Sequence, residues 1–261
     1  MKVEICSDHT GKMEGIESIS TSVLLNPFCQ KNRKILGSIC THCYAENLAK
    51  MYSGLAARLA RNTEVLTKEV IKWEDLPEIP LKIGGNNIFR FEAFGDIVNE
   101  THLLNYYNIV KKNPWINFSL YTKRYTLVAK FFDREDIDVP PNLTLIFSSL
   151  MVNIPINVSS LKIPGKFRKG QIKTFTVYEG SYIKKHPELK INCGAKACAK
   201  CKLCYLKNEV EEIREILKSE RNSTERYFSM KDPKKREEII KGVDDFIERA
   251  FKDNGGVIDE R

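Results

Sequence analysis

Between residues 18 and 180, short β-rich runs alternate with helical ones, and this order restricts the fold more than any other feature of the chain. The run SISTSVLLNP (18–27) is strand-like and ends on Asn-Pro, and residues 45–73 read as helix with Gly54 as a break. NIFRFEAFGD (87–96) reads as strand, and residues 99–114 read as a helix that stops at Pro114. WINFSLYTK (115–123) is then a strand, RYTLVAKFFD (124–133) a short helix, and LTLIFSSLM (143–151) and IKTFTVYEG (172–180) strands with a less regular link between them. Strands separated by helices favour parallel pairing through crossover helices, and therefore an α/β fold.

Each strand has one apolar and one polar side. Phe89, Phe91 and Ala93 oppose Arg90 and Glu92, and Phe118 and Leu120 oppose Asn117, Ser119 and Tyr121. Leu145 and Phe147 oppose Thr144 and Ser148, while Phe175 and Val177 oppose Thr174 and Thr176. A doubly wound sheet covered on both faces would read as nearly continuous apolar runs. A full or partial barrel with a polar lumen, or an antiparallel sheet with one solvated face, gives the observed split.

The 261 residues suffice for one barrel-sized domain or for one domain with an appendage. The start, MKVEICSDHTGKMEG, lacks the apolar run of a signal peptide, and no segment approaches the ~20 apolar residues that cross a bilayer. The expectation is a cytoplasmic protein with no membrane partner. Thiols stay reduced there, so eight cysteines, seven of them in two tight groups, point to metal binding ahead of disulfides.

The first group lies in NPFCQKNRKILGSICTHCYAE: Cys29, Cys40 and Cys43, with gaps of ten and two residues. Structural zinc takes four ligands in a closed tetrahedron, so three thiols on one loop suggest a metal with an open position. The second, CGAKACAKCKLCY, is Cys193, Cys198, Cys201 and Cys204, with gaps of four, two and two. Its spacing suits an iron-sulfur cluster of the ferredoxin or auxiliary type, and a closed zinc site also fits. Cys6 is left over, either as a fourth ligand to the first group or as a buried thiol. His9, His42, His102 and His186 lie apart in the sequence.

The formal net charge is +8, with cations concentrated in residues 162–173, in SYIKKH and in a tail around KDPKKREEIIKG. Such an imbalance attracts a nucleic acid or nucleotide, and an ordinary solvated surface is the alternative. After Cys204, residues 208–222 place Ile213, Ile216 and Leu217 at helical spacing, and residues 232–256 form a second amphipathic pattern.

The cysteine loop after the first strand, then CYAENL, then FRFEAFGDI and YTKR at the ends of later strands, resembles the phage-associated gene product 37/68 and gene product 88 proteins, a radical S-adenosylmethionine-like family. The resemblance runs from about Ser18 to Cys204 and is most specific in CTHCYAE and YTKR. It implies a partial (β/α) barrel of the radical S-adenosylmethionine type over residues 1–190, followed by a Cys-rich metal-binding loop and helices over 191–261. It implies a 4Fe-4S cluster on Cys29, Cys40 and Cys43 whose fourth iron takes S-adenosylmethionine, and a reductant such as a flavodoxin or ferredoxin. The cofactor-binding set it implies is Tyr44, Arg90, Glu92, Gly95, Asp96, Thr122 and Lys123. Asp96 would receive the methionyl ammonium, Gly95 would permit close backbone approach, and the YTKR cations would meet a carboxylate or phosphate. The resemblance departs in the first gap, since the best-known radical enzymes have three residues where this chain has ten. The expected function is a radical enzyme acting on an unassigned substrate, with its catalytic residue also unassigned. The alternative is a non-enzymatic zinc or iron-sulfur protein that binds nucleic acid.

Overall fold

Six strands form one sheet: β1 (Glu17–Ile19), β2 (Ile88–Phe91), β3 (Asn117–Thr122), β4 (Leu143–Ser148), β5 (Ile172–Tyr178) and β6 (Glu212–Ile216). They stand in sequence order and every neighbouring pair is parallel, which rules out the antiparallel alternative. The computed structural model describes residues 2–217 apart from Lys162 and Ala195, and among these β1 and β6 are the edges of the sheet. Right-handed crossovers that all step in one direction place their helices on one face. The connections are α1 (Pro27–Asn32), α2 (Tyr44–Met51) and α3 (Ser53–Lys68) after β1, α4 (Glu100–Lys112) after β2, and α5 (Tyr125–Asp133) after β3. The short helices α6 (Gly180–Lys185) and α7 (Cys198–Cys201) lie between β5 and β6.

The helix-covered face carries the main core. Phe89, Phe91, Phe118, Leu120, Leu145 and Phe147 pack there with Tyr106, Ile109 and Val110 of α4 and with Val128, Phe131 and Phe132 of α5. Phe91 stacks on Phe118 at 5.1 Å and on Tyr106 at 4.1 Å between ring centroids. Burying each such side chain stabilises the fold by roughly 1.5–3 kcal/mol. Helix α4 starts where the Asn99 side chain accepts from His102 N at 2.9 Å, and it ends before Pro114 with Asn113 N bonded to Ile109 O at 3.2 Å.

The opposite face is covered by the N-terminal segment and the Cys-rich loop. Ile16, Ile88, Ile146, Ile213, Cys204 and Tyr205 form a second cluster there, with Met13, Tyr121 and Phe175 against it. The register pairs Phe147 with Thr174 and Ser148 with Phe175. The apolar side of β5 therefore faces this second cluster, and its threonine side shares the helix-covered face. Alternation within a strand separates two sides without saying which neighbour each side joins.

Three local readings change. Residues 212–216 are strand rather than helix: Ile213 is fully buried on the face opposite the helices, the inner face, and β6 pairs with the otherwise open edge of β5. Completing that ladder satisfies backbone groups which a short, charged helix would leave to water. Residues after 191 thus share a sheet with those before 190. The break in the long helix falls at Tyr52 rather than Gly54, which lies in the first turn of α3. The first strand run is shortened to Glu17–Ile19, because Asn26 caps α1 through Phe28 N at 3.0 Å with Pro27 at the first helical position. The pattern at 232–256 lies outside the described residues. No helix among the described residues is long and apolar enough to cross a membrane.

Candidate metal centres

The first thiol group sits at the carboxyl ends of the strands, where parallel α/β sheets place their sites. Cys29 lies on α1, Cys40 in a 3-10 turn (Ile39–His42) that Ser38 caps through Cys40 N at 3.1 Å, and Cys43 at the N-cap of α2. The loop is fastened across the sheet. Ile39 N donates to Leu150 O at 2.8 Å, Ser38 bridges Met151, and Asn26 Nδ2 donates to Asp96 O at 2.8 Å. These anchors lie just beyond β4 and β2.

The same fastening brings the thiols to Lys123 and Asp96 beyond β3 and β2. Burial pushes the Cys29 thiol up, with Asp96 and Cys40 adding to it and Lys123 opposing. Cys40 is also raised, chiefly by burial, again against Lys123. Burial alone would lower Lys123, but the combined fields of Cys40, Asp96, Cys29 and Cys43 hold it above the usual lysine range. Lys123 thus lies in the combined field of Cys29, Cys40, Cys43 and Asp96, and it opposes the rise that burial imposes on the Cys29 and Cys40 thiols.

The expected cofactor set divides. Thr122 and Lys123 reach this site: Thr122 Oγ1 donates to Asp96 Oδ1 at 2.6 Å, and Lys123 N donates to Asp96 Oδ2 at 2.9 Å. Asp96 also accepts from Ile97 N at 2.8 Å, so three hydrogen bonds to its buried carboxylate come from the chain itself. Gly95 has φ +85°, and a Cβ there would stand 2.5 Å from Thr21 O and 2.6 Å from Glu92 Oε2. The close approach that requires glycine is to the chain's own Thr21 and Glu92. Glu92 adopts φ +56°, and its carboxylate accepts from Tyr106 OH at 2.6 Å and from Thr21 Oγ1, with His102 Nε2 at 3.4 Å. It is committed to α4 and not to Arg90, the partner that simple strand alternation suggests. Tyr44 donates its hydroxyl to Ala93 O. Arg90 lies 3.8 Å over the Tyr121 ring on the inner face of the sheet.

Cys6 stands elsewhere. It bridges Ser18, and its thiol donates to Asp8 Oδ1 at 2.9 Å. Asp8 is held down at about 2 by that thiol and by Arg58. Its stabilising contribution is present above the ordinary 3.8 and is lost as pH falls through about 2. In Cys6→Ala the Asp8 carboxyl should titrate closer to 3.8; a carbon-detected NMR titration that leaves it unmoved would show that the thiol is not the main cause.

The second group lies on the inner face. Cys193 bridges Glu215 of β6, Cys198 and Cys201 bracket α7, and Cys204 is buried in the second cluster. Lys202, at φ +56°, turns the chain back so that Cys204 enters that cluster. The Cys204 thiol is pushed up to about 12 by burial, with Tyr121 and Arg90 opposing. Among the described residues no group of three or more His, Cys, Asp and Glu is arranged to hold a metal ion. Thiolates sharing one zinc stand about 3.8 Å apart, as tetrahedral bonds of roughly 2.3 Å require. Each thiolate of a cubane has its own iron and stands further from the next.

The Gene product 88 family profile matches residues 4–161. The chain belongs to the Gene product 88 family. It is 26% identical over 184 residues to the Gene 88 protein of Mycobacterium phage L5, covering 62% of this chain and 72% of that protein. No solved structure matches. The part matched to the Gene product 88 family holds Cys29, Cys40, Cys43, Asp96 and Lys123, and the second thiol group lies beyond it.

In this Gene product 88 chain, sequence reasoning missed the supports of the site. Thr21, Tyr106 and His102 enclose Glu92. Asn153, at φ +64°, exchanges hydrogen bonds of 3.0 and 2.8 Å with Glu179 beyond β4 and β5, and Glu179 acts electrostatically on His42. Polar residues following the strands were the available signal for Thr21, Asn153 and Glu179, whereas Tyr106 and His102 lie within α4. The basic run 162–173 is partly spent on internal contacts. Lys173 is fully buried, donating to Leu203 O at 2.7 Å and Asn208 Oδ1 at 2.6 Å, while Lys169 pairs with Glu209. The basic tail lies outside the described residues.

Proposed function

We propose that this chain is a radical S-adenosylmethionine enzyme with a partial (β/α) barrel. The observation that supports it best is a single loop, fastened at the carboxyl ends of parallel strands, that carries three thiols whose fields all act on Lys123, with Cys6 bonded elsewhere. The donor set fits an iron-sulfur cluster: thiolates are soft ligands suited to iron, and a neighbouring ammonium favours their deprotonation. Cys29, Cys40 and Cys43 would hold the cluster. When bound there, a reduced 4Fe-4S cluster supplies the one electron that breaks the sulfonium–C5′ bond of S-adenosylmethionine, leaving methionine and a 5′-deoxyadenosyl radical. The electron comes from a flavodoxin or ferredoxin in the cytoplasm.

The chain's own residues orient and compensate. Lys123 offsets thiolate charge, and Asp96 fixes the turn that presents Lys123 by accepting from its N–H and from Thr122. The substrate is unassigned, and the +8 charge would suit a nucleotide or nucleic acid. The test is anaerobic purification, iron and sulfide counting, and electron paramagnetic resonance of the reduced protein with and without S-adenosylmethionine. The expected result is a cofactor-dependent change in the spectrum and release of 5′-deoxyadenosine. An unmoved spectrum in a sample proven to hold the first cluster rejects the enzyme in favour of a structural metalloprotein.

A further inference from the structure

We propose that Cys193, Cys198, Cys201 and Cys204 bind a second iron-sulfur cluster on the inner face of the sheet, with Lys12 and Arg90 compensating its charge. This does not depend on the activity proposed for the first group. The loop that carries the four thiols lies against one wall of the sheet. Cys193 N donates to Arg214 O at 3.0 Å alongside β6, α7 presents Cys198 and Cys201, and the turn at Lys202 delivers Cys204 beside Ile88, Ile146 and Ile213. The buried Lys173 holds that turn through Leu203 O and Asn208.

Two cations already face the group. Lys12 Nζ lies 3.7 Å from Cys193 Sγ and is paired with Glu215. Arg90 lies over Tyr121 with its Nη1 on Met13 Sδ at 3.5 Å, and its buried Nε has no hydrogen-bond partner. A buried guanidinium N–H left without a partner is costly, and an anionic sulfur cluster would relieve it. Cys198 lies in the fields of both cations. The run Cys198-x2-Cys201-x2-Cys204 has the two-residue gaps with which ferredoxin loops wrap a cubane, and Cys193 supplies a fourth thiolate. Four thiolates saturate the cluster and leave no iron open.

The test uses the full chain carrying Cys29→Ala, Cys40→Ala and Cys43→Ala, reconstituted anaerobically with ferrous iron and sulfide. It should retain about four irons and about four sulfides per chain. In the otherwise unaltered chain, Cys198→Ala with Cys201→Ala should lower iron by that same amount, which keeps the proposal testable if the triple variant fails to fold. Bound zinc without sulfide, or unchanged iron in the double variant, overturns the cluster. Lys12→Gln in the triple variant should move the reduction potential to more negative values, since a nearby cation favours the added electron. An unmoved potential removes Lys12 from the assignment.

Discussion

Cys40→Ala should lose the iron of the first thiol group, whereas Cys6→Ala should retain it in an S-adenosylmethionine-responsive form. Cys40 is held in place by Ser38, whose segment is fastened to Leu150 and Met151, and its field is felt by both Cys29 and Lys123. With it gone, two thiolates remain, too few to hold a cubane securely. Cys6 is engaged with Asp8 and Arg58. Iron per chain and the electron paramagnetic resonance spectrum of each variant measure the contrast. If Cys6→Ala lost the first iron as completely as Cys40→Ala, the site would have four protein ligands. S-adenosylmethionine would then have no open iron, and the chain would be a structural metalloprotein.

Gly95→Ala should destabilise the fold by about 2–5 kcal/mol, the sum of a left-handed backbone penalty of roughly 1–2 and overpacking of roughly 1–3. The added Cβ would meet the Thr21 carbonyl at 2.5 Å and the Glu92 carboxylate at 2.6 Å. Neither neighbour is free to retreat: the carbonyl is backbone, and Glu92 is tied to Tyr106. Asp96 follows directly, so strain at Gly95 would also disturb the turn that presents Thr122 and Lys123. Urea unfolding monitored by circular dichroism checks the magnitude. A loss below about 1 kcal/mol would mean that the β1 and β2 ends are not packed as tightly as the structure has them.

Much of the architecture was legible because it depends on local pattern. Phe89, Phe91, Phe118, Leu120, Leu145 and Phe147 alternate with polar residues and form the helix-covered core. The crossovers between β1 and β4 carry helical spacing. Cys29, Cys40 and Cys43 stood out by their spacing, and Thr122 and Lys123 by their place at the end of a strand. Glu92 was misplaced for a local reason: alternation puts it on the Arg90 side, but a φ of +56° turns it toward Tyr106 and His102. A non-glycine residue in that region leaves no mark on the sequence.

By itself, the sequence determined the strand-helix alternation, hence an α/β fold, and the two thiol groups with their spacing. Periodicity and residue chemistry act over a few neighbouring residues, and both survive without knowledge of distant partners. The tertiary structure alone decided that residues 212–216 extend the sheet and that Phe175 faces the Cys-rich loop. It alone put Lys123 in the field of the first thiols, and Lys12 beside Cys193 of the second group. These outcomes depend on register and on which sheet edge is left open, and they are set by contacts between residues distant in the sequence, such as Thr174 with Glu212 and Lys12 with Cys193.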